Sequence, residues 1–242
     1  MSHSRRILKD IYMLESELHA ISAQNATYNY FADNNDLSTI YLVLKGPEDT
    51  PYEYGFYLIK VEFPINYPFK PPKCTYLNLS TIRQSPNFHD NGQICLSRLN
   101  TWQNLDQWSP TYNVRTIITT IQGLVLTQNP ANNEPPYNFA ERNPSQSQIY
   151  DNLIRFCNYK YNINMMADLD LDSVPSSICQ QIRTYVRQQI QFNQKKILHK
   201  LSELTNTYDG ITFTYYLYRN TSVVASYNEE LLKFKAVLMC MT

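Results

Sequence analysis

No apolar run in these 242 residues is long enough to span a bilayer, which excludes a membrane-spanning helix. Charge of one sign is not in excess either, since Lys plus Arg and Asp plus Glu both number 21. A balanced chain carries no electrostatic footprint for nucleic acid or for an anionic membrane surface. Paired CxxC spacing is also missing. The cysteines, Cys74, Cys95, Cys157, Cys179 and Cys240, are five, an odd number. They support neither a disulfide framework nor a metal site, and they point to a reducing compartment. The N-terminal "MSHSRRILKDIYML" lacks the apolar core of a signal peptide. The expected location is therefore intracellular, in cytoplasm or nucleus. Glycine is scarce at 5 residues, and no internal repeat or low-complexity tract is present.

The composition, 43% hydrophobic and 17% charged, is that of a soluble globular protein. The length suits one large domain or one domain with an extension. Ser4 is a candidate cap for a helix to about Ala23, with an apolar stripe of Ile7, Ile11, Leu14, Leu18 and Ile21. The period then changes. "ATYNYFA", "STIYLVLKG" and "GFYLIKVEF" are aromatic and β-branched and are separated by turn chemistry, so they read as consecutive antiparallel strands. "YPFKPPK" is a rigid extended connector, and a fourth short strand follows from about Lys73. "TYNVRTIITTIQGLVLTQ" and "SQSQIYDNLIRFCNYKYNINMM" have helical period. After the acidic "DLDLDSVPS" come a long helix from Pro175 to about Leu204, a strand-like "GITFTYYLYR" and a helix from about Ser226. Strands followed by helices indicate an α+β fold, an antiparallel meander packed against helices.

Within this frame, "SPNFHDNGQICLSRL" is an irregular, turn-rich stretch that delivers Cys95 between Ile94 and Leu96. The series "YPFKPPK", "SPNFHDNGQICL", "WSP", a buried helix and "NP" resembles the ubiquitin-conjugating enzyme (E2) family over about Leu8 to Met166. Cys95 stands eight positions after Asn87, as the family pattern has it. The further pattern "LxTW…WSP…IQxL…NPxxNEPPY" resembles the larger, BRUCE-type E2s. The C-terminal "VPSSICQQIRTYV" to "SYNEELLKFKAVL" is loosely similar to the extension of a large E2 of that group. The resemblance implies a catalytic core over residues 1–166 with a mainly helical extension over 167–242.

It also implies an activity. An E2 accepts ubiquitin or a ubiquitin-like protein from an activating enzyme (E1) as a cysteine thioester. It passes the acyl group to a substrate lysine, usually with an E3 ligase. Cys95 is the implied nucleophile, because a thiolate attacks readily and its thioester stays reactive toward amines. Asn87 is the implied oxyanion donor, with bracing of the loop backbone as its structural alternative. No His, Asp or Arg adjoins Cys95 in the chain, so no strongly activated thiolate is expected. The implied E1 and E3 contacts are Arg5, Arg6 and Lys9 on the first helix, then Phe69, then Ser109 and Pro110, with Trp108 expected in the core. No metal and no cofactor are implied, ATP being used by the E1, and no nucleic acid or membrane partner.

The chain departs from the family pattern twice. Ser85 stands two positions before Asn87 where most relatives have His, so the loop needs another support, with His89 a candidate. Asn132 and Asn133 stand where many E2s place an Asp or Ser that prepares the acceptor lysine, with Glu134 just beyond. An asparagine can position an amine but cannot take its proton. These departures keep open a catalytically weak E2 variant acting as an adaptor for ubiquitin or a ligase. A cysteine hydrolase using Cys95 and His89 is the remaining alternative, and no hydrolase signature accompanies it.

Overall fold

The computed structural model describes residues 3–33, 36–77, 79–80, 82–101, 107–133, 139–216 and 221–241. Helix α1, His3–Ala20, packs its Ile7, Ile11 and Leu14 stripe inward. Ser4 lies inside this helix rather than at its cap, because the helix begins one residue earlier. Four strands follow as an antiparallel meander in sequence order: β1 Tyr28–Asp33, β2 Asp36–Lys45, β3 Phe56–Glu62 and β4 Lys73–Tyr76. Leu42 pairs with Ile59, and Ile59 with Tyr76. The runs Ile40–Leu44 and Phe56–Ile59 are buried without alternation, so both faces of the central strands are covered.

Helix α2, Val114–Thr120, starts in a capping box between Asn113 and Thr116 and continues as a π-turn, Ile121–Val125. After the short α3, Phe139–Arg142, comes α4, Pro144–Cys157, with Pro at its start. A π-helical segment, Asn158–Met165, extends it. The long helix α5, Ser176–Tyr208, is followed by a two-stranded hairpin, β5 Thr212–Tyr215 and β6 Thr221–Val224, and by α6, Tyr227–Met239. Successive residues of β3 show the layering, because strand side chains alternate between faces. Phe56 packs edge-on against Tyr185 of α5, while Tyr57 donates to Asn158 Oδ1 of the π-segment at 2.7 Å. Gly55 is needed for that approach, since a Cβ there would lie 1.9 Å from Asn158 Oδ1.

The C-terminal elements share one core with the sheet. Tyr215 stacks on Tyr150 of α4 with ring centroids 4.3 Å apart, and Tyr227 packs edge-on against Phe156. Among the described residues, no helix is long and apolar enough to cross a membrane.

Candidate active site

The segment from Asn87 to Cys95 doubles back as a short hairpin. Cys95 N donates to Asn87 O at 2.8 Å, His89 N donates to Gln93 O at 2.9 Å, and Phe88 bridges to Ile94 between them. Gly92 closes the turn by donating its N–H to His89 O at 2.9 Å. Its φ is +82° and a Cβ would meet Tyr76 O at 2.7 Å, so glycine is required on both counts. Alternation then sorts the side chains. Phe88 and Ile94 point inward and are fully buried, Phe88 stacking on Tyr76 at 4.4 Å. Asn87, His89, Gln93 and Cys95 share the other face.

That register places His89 diagonally across from Cys95. The two meet, with His89 Nε2 2.8 Å from Cys95 Sγ. Arg83 brings Nη2 to 3.2 Å from the same ring nitrogen and also donates to Pro86 O. No His, Asp or Arg adjoins Cys95 in the chain, yet the fold brings His89, with Arg83 behind it, to the thiol. The signal that could have found the pair was present: two-residue alternation on either side of an Asn-Gly turn.

The backbone around the thiol is pinned. Thr101 Oγ1 donates to Ile94 O at 2.6 Å and accepts from Leu96 N at 2.9 Å, one bond on each side of Cys95. Asn87 Nδ2 donates to Cys95 O at 2.8 Å, while its Oδ1 is buried without a hydrogen-bond partner. Cys95 is 5% exposed. Burial pushes the Cys74 and Cys157 thiols up to about 12, which makes them inert at neutral pH. Cys179 is buried in α5 and Cys240 is exposed.

Support for the loop comes from behind it. Ser85 Oγ accepts from Asn87 N at 3.2 Å. The buried Gln84 accepts at its backbone carbonyl from Tyr52 Oη at 2.9 Å and at its side-chain oxygen from Asn162 Nδ2. Asn162 in turn accepts from Tyr76 Oη at 3.1 Å, and Tyr150 Oη donates to Arg83 O at 3.0 Å. A tyrosine–amide network from the turn before β3, from β4, α4 and the π-segment thus holds the segment that carries Ser85. His89 faces the thiol instead of this network.

Asn132 and Asn133 are both engaged away from the hairpin. Asn132 Oδ1 accepts from Ala140 N at 2.8 Å, and Asn133 Nδ2 donates to Leu124 O at 2.7 Å. Glu134 lies outside the described residues, as do positions 102–106 of the loop between Cys95 and Trp108. Among the described residues, no three His, Cys, Asp or Glu side chains form a group able to hold a metal ion.

A family model described as ubiquitin-conjugating enzyme matches residues 9–156, more than half of the chain. The chain belongs to the ubiquitin-conjugating enzyme family. It is 40% identical over 125 residues to human ubiquitin-conjugating enzyme E2 Z, covering 51% of this chain and 34% of that protein. Over 167 residues it is 32% identical to the probable ubiquitin-conjugating enzyme protein 17 of Caenorhabditis elegans, covering 66% of this chain and 23% of that protein. Human BIRC6, a dual E2 ubiquitin-conjugating enzyme and E3 ubiquitin-protein ligase, is 32% identical over 171 residues, which are 66% of this chain and 3% of that protein. The matches thus cover only a minor part of these relatives' length. The E2 domain of a Toxoplasma gondii ubiquitin conjugating enzyme superposes with a TM-score of 0.50 at 21% identity, covering 66% of this chain and 98% of that domain. That likeness establishes the α+β UBC fold.

The positions that the E2 pattern assigns to docking form one connected surface. Trp108 Nε1 donates to Pro68 O at 2.7 Å, which ties the loop carrying Phe69 to the one carrying Ser109 and Pro110. Phe69 is 75% exposed, and Arg5 and Lys9 are exposed on α1. Arg6 differs from both. It pairs with the buried Asp10 at 2.9 Å, donates to Pro110 O at 2.9 Å and to Tyr112 O, and lies 5.5 Å from the Tyr67 ring centroid. Its guanidinium fastens α1 to the Pro110 loop. Ser109 Oγ shares a hydrogen bond with Thr111 at 2.9 Å.

Proposed function

We propose that this E2 accepts ubiquitin or a ubiquitin-like protein from an E1 as a thioester on Cys95 and transfers it to a substrate lysine, with an E3 as the usual partner. Residues 1–166 would act as the catalytic core and 167–242 as its extension. The observation that carries the reading is the placement of Cys95. It ends a hairpin eight positions after Asn87, the spacing of the E2 sequence pattern, and Asn87 and Thr101 fix the backbone on both sides of it. The chain needs no cofactor for this, because the E1 consumes the ATP.

The chemistry follows from the parts. Cys95 Sγ attacks the E1-borne thioester carbonyl and displaces the E1 thiolate. The acceptor lysine then attacks the new thioester, creating an oxyanion. Asn87 has two amide hydrogens; one is committed to Cys95 O, and the second is available to an oxyanion, the classical way such charge is stabilised. Arg5, Lys9, Phe69, Ser109 and Pro110 would receive E1 and E3. A shared surface would make the two partners exclude each other. Incubation with E1, ATP and ubiquitin tests the proposal. A reductant-sensitive adduct supports it, and failure of every E1–modifier pair to form one counts against it.

A further inference from the structure

We propose that His89 is the proton carrier of this site: it takes the proton of the Cys95 thiol during charging, and that of the acceptor amine once the sulfur is acylated. The charging and discharge steps rest on the E2 reading above; the transfer of the thiol proton to the ring does not.

The geometry comes from the hairpin. His89 Nε2 lies 2.8 Å from Cys95 Sγ, within the reach expected of a base for the proton it removes. Arg83 Nη2 lies 3.2 Å from the same nitrogen. A guanidinium there favours the thiolate, and the thiolate in turn favours the ring proton that Arg83 opposes, so Nε2 holds the proton only while the sulfur is charged. Arg83 and Cys95 face the ring, and Asp90, next in the chain, is exposed.

The steps balance without another reactant. In charging, Nε2 takes the proton from Sγ and the thiolate attacks the incoming carbonyl. The C–S bond to the donor breaks, and the departing thiolate takes the proton from the imidazolium. The acylated sulfur no longer carries a hydrogen, so Nε2, with Arg83 still beside it, can take a proton released next to the reacting carbonyl. In discharge the lysine nitrogen forms the C–N bond and the C–Sγ bond breaks. The amine proton goes to Nε2 and from there to the Cys95 thiolate. This assignment fills the role that Asn132 and Asn133 cannot, since an amide accepts no proton and both are tied to backbone elsewhere.

The test uses the full chain carrying Cys240→Ser, which removes the exposed thiol. The rate of Cys95 alkylation by iodoacetamide is followed against pH, with no E1 or ubiquitin present. The midpoint should lie below the ordinary cysteine value of about 8.5, and His89→Gln should raise it by about one unit or more. Equal midpoints would overturn the first half, whatever the E2 activity proves to be. A measurement without mutation guards against a misfolded variant: the ring titration of His89, read by NMR, should move when Cys95 is carboxamidomethylated. An unmoved titration overturns the pairing. For the second half, preformed Cys95–ubiquitin thioester is discharged to free lysine across pH. His89→Gln should lower the rate by about 100-fold or more, the lower end for a lost general base, and should flatten its rise with pH. An unchanged rate and profile would overturn the amine role while leaving thioester formation, and so the E2 reading, intact.

Discussion

The side-chain amide of Asn87 donates to the backbone carbonyl of Cys95 at 2.8 Å, and Cys95 N donates back to Asn87 O at the same distance. The residue assigned to the oxyanion therefore also braces the residue that carries the nucleophile. Asn87→Ala should lower stability by about 1–3 kcal/mol, the cost of leaving a buried partner unsatisfied. It should also slow lysine discharge by ~10–1000-fold, the range for one lost oxyanion donor, and slow charging less. Melting temperature and both single-turnover rates, measured on the same variant, check this. Equal losses in the two rates would reduce Asn87 to a brace.

The cationic face of α1 divides into two kinds of residue. Arg5 and Lys9 are exposed, so Arg5→Glu with Lys9→Glu should slow charging and leave the melting temperature and discharge to free lysine near their starting values. Arg6→Glu should unfold the α1–Pro110 junction, because it strands Asp10, whose side chain is fully buried. Losing one partner of a buried pair costs roughly 3–5 kcal/mol. Thermal melts of the two variants separate these outcomes. Comparable destabilisation in both would contradict the division.

Much of this was legible in the chain. The apolar stripe of α1 and the aromatic strand runs gave the meander in order, because burial of those side chains has a period that sequence displays. The family motif marked Cys95. What escaped detection depends on long-range geometry. Arg6 reads as a solvated helix residue until the Pro110 carbonyl, 104 positions away, is brought to it. His89 and Cys95 meet only because Gly92 turns the loop with a positive φ and fixes its register. The long apolar-periodic stretch after Ser145 reads as one helix, yet its second half is π-helical, and this wider winding carries Asn158 and Asn162 into the tyrosine network. "GITFTYYLYR" reads as one strand, whereas its first half pairs with a later segment as a hairpin.

Asp151 on α4 supplies a pH dependence. It lies in a groove shared with Lys200, Glu203, Leu204 and Tyr208 of α5. Its Oδ1 is buried without a hydrogen-bond partner, and burial raises the carboxyl to about 7, against a smaller opposing pull from Arg155. A carboxyl raised in the folded state binds its proton more tightly there than when unfolded. It therefore costs nothing below the unfolded value, costs progressively more as pH rises toward the folded value, and the full amount above it. Asp151→Asn should raise the urea midpoint at about pH 8 and leave it nearly unchanged at about pH 4. A shift of the same size at both values would show that this carboxyl is not the cause.

The account turns on Cys95 as the acyl carrier, and the most direct measurement is the chemical nature of its adduct. With E1, ATP and ubiquitin, the native chain should gain one ubiquitin in a bond that thiols cleave, mapped by mass spectrometry to the peptide containing Cys95. Cys95→Ala should keep its melting temperature and gain nothing. Cys95→Ser should form an adduct more slowly, as an ester that thiols do not cleave, because an alkoxide leaves less readily than a thiolate. A thiol-sensitive adduct that persists in Cys95→Ala would contradict the account.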